Sequence, residues 1–191
     1  MILASQSPRR VELMREAGYG FEVCPADIDE TPRPGEAPFE LVERLARGKA
    51  LAVAGAAPAG ELVVAADTIV AIDGELLGKP RDDAEATEML RRLSGRTHQV
   101  ATGVCLARAG LGAAGACSFV SVTDVEFYEL EEERIAAYVA SGEPRDKAGA
   151  YGIQGAGGRM LVRRIDGDFY NVMGLPIAET VRRIERAERD F

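Results

Sequence analysis

The densest apolar run in the chain, residues 62–72, reads Leu-Val-Val-Ala-Ala-Asp-Thr-Ile-Val-Ala-Ile, with nine of eleven positions apolar. Small and β-branched residues in an unbroken run predict a strand covered on both faces. Asp73-Gly74 then predicts a tight hairpin turn, and residues 75–80 return along the strand with Lys79. Helical spacing appears elsewhere. Val11, Met14 and Ala17, with Leu13 beside them, stripe a helix that Ser7 caps, Pro8 opens and Gly18 stops. Val42, Leu45, Ala46 and Val53 share one face of a helix over 38–54. Ala86, Met89, Leu90 and Leu93 share one that Asp82 and Asp83 cap and Ser94-Gly95 end. A further helix over 130–140 carries Glu131, Glu132 and Glu133 in its first turn, where acid complements the dipole. The last opens at Pro176, with Ile177, Val181 and Ile184 as its seam. Strands are expected at 1–4, 21–25, 97–107 and 116–128, the last two joined by a glycine- and alanine-rich loop. Residues 160–165 and 169–172 are expected to pair as a hairpin across Asp166-Gly167.

Composition narrows the possibilities. With 191 residues the chain has room for one good core or two small lobes, and neither a repeat nor a linker divides residues 1–191. The net charge of −8 argues against a nucleic-acid coat or a basic membrane-surface protein, and leaves room for a local cationic pocket. Three scattered cysteines without a Cys-x-x-Cys pair, and a single histidine, His98, argue against zinc sites and disulfide frameworks; free thiols fit a reducing cytosol. No signal-peptide pattern or transmembrane-length apolar stretch is expected. His98 is expected to be structural.

Several residues break the apolar and polar pattern in ways that suggest chemistry. Asp67 places a carboxylate inside a buried strand, which requires either a satisfied polar core position or a ligand. Arg9 and Arg10 occupy a first helical turn that the macrodipole makes unfavourable for cations, by about 0.3–1 kcal/mol each at a surface. With the Ser7 hydroxyl and free amides they suit an anion, the alternative being two solvated arginines. Lys49 falls on the apolar face of its helix, either snorkelling outwards or aimed inwards at a phosphate. Asp27, Asp29 and Glu30 sit in a proline-rich loop and are either solvated or ligands of a hard cation. Residues 146–158 hold Gln154 among glycines that permit close backbone approach to a ligand, but match neither a phosphate loop nor a dinucleotide fingerprint. Together these parts suggest a pocket for a polyphosphate, a divalent cation and a water-activating acid.

The segments Ala4-Ser5-Gln6-Ser7-Pro8-Arg9-Arg10, Ala66-Asp67-Thr68-Ile69-Val70, Gly78-Lys79-Pro80-Arg81 and Ala148-Gly149-Ala150-Tyr151-Gly152-Ile153-Gln154-Gly155 together resemble the Maf family of nucleoside triphosphate pyrophosphatases, over nearly the whole chain. The resemblance implies an α/β, Maf/ITPase-like fold: a long curved mixed sheet flanked by helices, with a cleft between two lobes. It implies hydrolysis of a nucleoside triphosphate to the monophosphate and pyrophosphate with Mg²⁺ or Mn²⁺, in a homodimer, and the free thiols make the cytoplasm the expected location. Asp67 matches the general base. Ser7, Arg9, Arg10, Lys49 and Lys79 match substrate contacts, and Glu30 matches an acidic active-site position, which with Asp67 is expected at the metal. Arg9, Thr68 and Gln154 match positions that separate subfamilies. Gln154 resembles the dTTP/UTP branch; a branch acting on 7-methyl-GTP has Glu there. The family name also implies an alternative, a nucleotide-binding regulator of septum formation.

Overall fold

The computed structural model describes residues 1–189. Its strands are β1 (Ile2–Leu3), β2 (Glu22–Val23), β3 (Leu62–Ile72), β4 (Glu75–Leu77), β5 (Thr97–Arg108), β6 (Ala116–Phe127) and β7 (Val162–Asp166). Its helices are α1 (Pro8–Glu16), α2 (Pro38–Ala56), α3 (Asp83–Leu93), α4 (Glu132–Ala140), α5 (Phe169–Met173) and α6 (Ile177–Arg189). The fold is α/β. The strands form one mixed sheet in the order β2-β1-β3-β5-β6-β7, with β4 also on β3. β1 lies parallel to β2 and β3, whereas β4 on β3 and β7 on β6 are antiparallel. The β3–β4 turn uses positive φ at both Asp73 (55°) and Gly74 (78°), as a two-residue hairpin with right-handed strand twist requires.

The chain forms two compact units, one of residues 1–68, 102–121 and 174 onwards, the other of residues 69–101 and 122–173. The first unit has an alanine-rich core. Ile2, Ala4, Val63, Ala65, Cys105 and Ala107 alternate along their strands to face Ala46, Ala50, Val53 and Ala54 of α2. Small residues bring the helix close. A Cβ at Gly103 would overlap the Val42 carbonyl, so glycine is required for α2 to lie where it does on β5. This approach sets the depth of every α2 side chain that points towards the sheet, Lys49 included.

The second unit has a bulkier core. Met89, Leu90 and Leu93 of α3 and Ile135, Tyr138 and Val139 of α4 join Val70, Ile72, Leu77, Phe127 and Tyr151. His98 lies inside it, edge-on to Phe127 and Tyr151, with Nε2 2.8 Å from the Tyr151 hydroxyl. Burial pushes its pKa down to about 3, so it is a neutral core histidine, as the sequence suggested.

One expected element is wrong. Residues 160–165 and 169–172 do not pair; β7 pairs with β6, Asp124 opposite Asp166, and residues 169–173 form α5. Local capping and a buried amide decide this. Asp168 Oδ1 accepts the Tyr170 N–H at 2.7 Å, and Asn171 donates from Nδ2 to the Val100 carbonyl and to Thr123 Oγ1, both at 2.9 Å. An asparagine with two buried acceptors outweighs the weak strand preference of Phe-Tyr-Asn-Val. β1 and β2 are also shorter than expected, and α2 extends two residues further.

Candidate active site

β3 is buried along its length except at Asp67 and Thr68, its only two half-buried positions. The polar pair sits where the apolar run is interrupted. On α2, Lys49 follows Leu45 by four residues and Ala46 by three, which places it on the same inward face. Its ammonium lies 2.5 Å from Asp67 Oδ1 and 2.7 Å from Glu30 Oε1. Lys49 therefore does not snorkel. It points inwards and bridges two carboxylates. The Lys49 and Asp67 side chains are only 12% and 13% exposed, whereas Glu30 is 56% exposed. The trio is thus dry at one end and open at the other. Asp67 Oδ2 carries no hydrogen bond among the described residues, so one carboxylate oxygen is left to accept from a water.

Arg10 stands on the other side of Thr68. It donates from Nε to the Gly174 carbonyl at 2.8 Å, from Nη2 to Thr68 Oγ1 at 2.9 Å and from Nη1 to Ser5 Oγ at 3.3 Å. Thr68 Oγ1 also lies 2.9 Å from Thr102 Oγ1. Burial lowers the Arg10 pKa, an effect that Asp67 and Glu30 oppose and Arg9 reinforces. The two expected readings of the arginine pair, both solvated or both gripping an anion, do not include the bonds that Arg10 makes to the protein itself. Arg10 is a half-buried strut, bonded to the protein itself, that adds positive charge beside Asp67, and Arg9 is likewise half-buried in the first turn of α1. Ser7 occupies the N-cap position without a capping bond from its hydroxyl, and its N–H donates to Ser5 Oγ at 3.2 Å.

The first unit thus brings together Arg10, Glu30, Lys49, Asp67 and Thr68, with Ser7 and Arg9 on the helix start that carries Arg10. Lys79 and Gln154 belong to the second unit. There the Gly149 N–H donates to the Gly78 carbonyl at 3.1 Å, tying the glycine-rich stretch to the residue before Lys79. Gly149 has φ of 67°, and a Cβ on it would lie 2.9 Å from Val70, so this junction needs glycine twice over. Asp27 and Asp29 stay outside the Glu30–Lys49–Asp67 cluster. Asp29 caps the Thr31 amide at 2.9 Å, which lowers its pKa, and Asp27 is exposed. Sequence reading missed Ser5, Thr102 and Gly174 as partners. Thr102 had a visible signal, a polar residue in the apolar β5 run. The Gly174 carbonyl had none, because backbone acceptors leave no mark in sequence.

No group of three or more His, Cys, Asp or Glu side chains among the described residues could hold a metal ion. Glu30 and Asp67 nonetheless both lie within contact distance of one cationic atom, Lys49 Nζ. Two carboxylates completed by substrate phosphates are a donor set that suits Mg²⁺ or Mn²⁺. The residues therefore fit a divalent cation that binds with a polyphosphate, and do not form a closed protein cage.

A family model described as Maf-like protein matches residues 1–187. A protein of Geobacter sulfurreducens named dTTP/UTP pyrophosphatase is 52% identical over 189 residues, covering 97% of this chain and 95% of that one. One of the same name from Symbiobacterium thermophilum is 53% identical over 184 residues, covering 95% and 91%. Among solved structures, a Ham1 protein of Staphylococcus aureus superposes with a TM-score of 0.45 and 18% identity over 66% of this chain and 70% of that one. With half of its residues shared over nearly its full length, and a family match from the first strand into the last helix, the chain belongs to the Maf-like protein family.

Proposed function

We propose that the protein is a nucleoside triphosphate pyrophosphatase that hydrolyses dTTP and UTP to the monophosphate and pyrophosphate, clearing unwanted nucleotides from the pool. The observation that carries this reading is the half-open Glu30–Lys49–Asp67 cluster beside Arg10, in a chain half identical to proteins named for that activity. Asp67 Oδ2 accepts a proton from a water as the water oxygen attacks the α-phosphorus in line. The bond from the α-phosphorus to the bridging oxygen breaks, and pyrophosphate leaves. Lys49, Arg9 and Arg10 offset the charge on the phosphate oxygens, and Ser7 and the α1 amides bind the tail. Lys79 supplies a further cation. Glu30 and Asp67 would hold a Mg²⁺ or Mn²⁺ ion, which when bound supplies further charge neutralisation on the phosphates.

Gln154 reads the base. Its amide makes no side-chain hydrogen bond among the described residues, and it can both donate and accept, as the edge of uracil or thymine requires. A carboxylate only accepts, and suits a guanine edge. Gln154→Glu is therefore expected to lower kcat/KM for dTTP and raise it for 7-methyl-GTP, read as the ratio of the two; an unmoved ratio would remove Gln154 from base recognition.

No described helix is long and apolar enough to cross a membrane. Cys24, Cys105 and Cys117 are free thiols, which suits a reducing cytoplasm, and the net charge of −8 argues against a nucleic-acid partner. A homodimer is the expected assembly. The function is tested by incubating the protein with dTTP, UTP and a panel of other triphosphates, with and without Mg²⁺, and measuring pyrophosphate. Release from dTTP and UTP supports it. Tight binding without release would favour a nucleotide-sensing regulator of cell division.

A further inference from the structure

The glycine-rich stretch wraps a side chain of the protein itself. Glu143 Oε1 accepts the Gly158 N–H at 3.1 Å and the Tyr138 hydroxyl at 3.0 Å, and Oε2 accepts the Gly157 N–H at 3.1 Å. The Tyr138 oxygen accepts the Gly152 N–H at 3.2 Å. Amides on both sides of Gln154 are thus held by one carboxylate–phenol pair. Arg159 completes the ring by donating to the Gln154 carbonyl at 2.5 Å and the Gly155 carbonyl at 2.9 Å. Burial raises the Tyr138 pKa, so the phenol stays an O–H donor.

The glycines are present for space. None of Gly152, Gly155, Gly157 and Gly158 has positive φ. A Cβ at Gly155 would overlap the Glu143 carboxylate, one at Gly158 would overlap the Gly152 carbonyl, and one at Gly157 would lie 2.6 Å from the Tyr138 ring. The close approach expected from so many glycines is therefore made within the protein, to Glu143 and Tyr138, to the Gly152 carbonyl and, at Gly152, to the Lys147 side chain.

We propose that Glu143, acting through Tyr138 and the amides of Gly157 and Gly158, is a positioning residue for base selection: it fixes the loop that presents the Gln154 amide. This inference rests on Gln154 reading the base. Four carboxylate lone-pair sites suit a ring of donors, whereas an amide at this position would oppose N–H to N–H and shift the loop. Asp67 and its partners lie in the other unit, so the hydrolytic step is expected to survive.

The test measures kcat and KM separately for dTTP and 7-methyl-GTP in the wild type, Glu143→Gln, Tyr138→Phe and Gln154→Glu. Glu143→Gln is expected to raise KM for dTTP about tenfold with kcat changed by no more than about twofold, and to lower the dTTP preference. Tyr138→Phe shifts the same quantities less. A drop in melting temperature with the preference unchanged would reduce Glu143 to a structural staple and overturn the proposal, as would a loss confined to kcat. Should Glu143→Gln fail to fold, Tyr138→Phe decides by the same criteria. A ratio that Gln154→Glu leaves unmoved sinks the base reading itself, and the proposal with it; a ratio that Gln154→Glu moves and the other two leave unmoved sinks only the proposal.

Discussion

Asp67→Asn is expected to lower kcat for dTTP by about 10²–10⁴-fold, the usual cost of losing a general base. The amide has the size of the carboxylate and fits the same strand position, but it cannot take a proton from water at neutral pH. The fold should survive. Lys49 keeps its second contact, Glu30 at 2.7 Å, so the substitution does not strand a buried ammonium. Thr68, next along β3, keeps its bonds to Arg10 and Thr102. The check is kcat beside a thermal melt: a large rate loss in a protein that melts near the wild-type temperature. A folded Asp67→Asn protein with nearly full activity would remove Asp67 from the chemistry.

Lys49→Met is the second large effect, and it differs in kind. Methionine keeps the apolar stem against the α2 face and removes the charge. Asp67 and Glu30 are then two carboxylates converging on a place with no cation. Losing one preorganised charge at a phosphate site costs about 10²–10³-fold in rate. Stability should fall too, by about 1–3 kcal/mol, less than for a fully buried pair because Glu30 is mostly in water. Steady-state kinetics and a denaturant melt read the two effects separately. If Lys49→Met gained stability and kept its rate, the ammonium would be a dispensable surface charge, contrary to its 12% exposure.

Much of this was legible in the sequence because the signals were local. The β3 run with a single acid in its middle, the apolar stripe of α2 on which Lys49 falls and the Asp73-Gly74 turn each follow from spacing over a few residues, whereas the inward turn of the Lys49 ammonium is settled only by its contacts with Asp67 and Glu30. What spacing could not show was which groups satisfy one another across the chain. Arg10 looked like half of an anion clamp, and its Nε bonds a carbonyl 164 residues away. The crowded glycines looked like room for a ligand, and the nearest atoms belong to the protein itself: Glu143, Tyr138, Lys147 and the Gly152 carbonyl. Residues 169–172 looked like a strand because a buried Asn171 amide has no sequence signature. In each case a long-range hydrogen bond outweighed a local preference worth less than about 1 kcal/mol.

The central claim is that a water steered by Asp67 attacks the α-phosphorus. Hydrolysing dTTP in water enriched in heavy oxygen, and weighing both products, tests it directly. The label is expected in thymidine monophosphate, with pyrophosphate unlabelled. Label in the pyrophosphate would place the attack on the β-phosphorus and contradict the account.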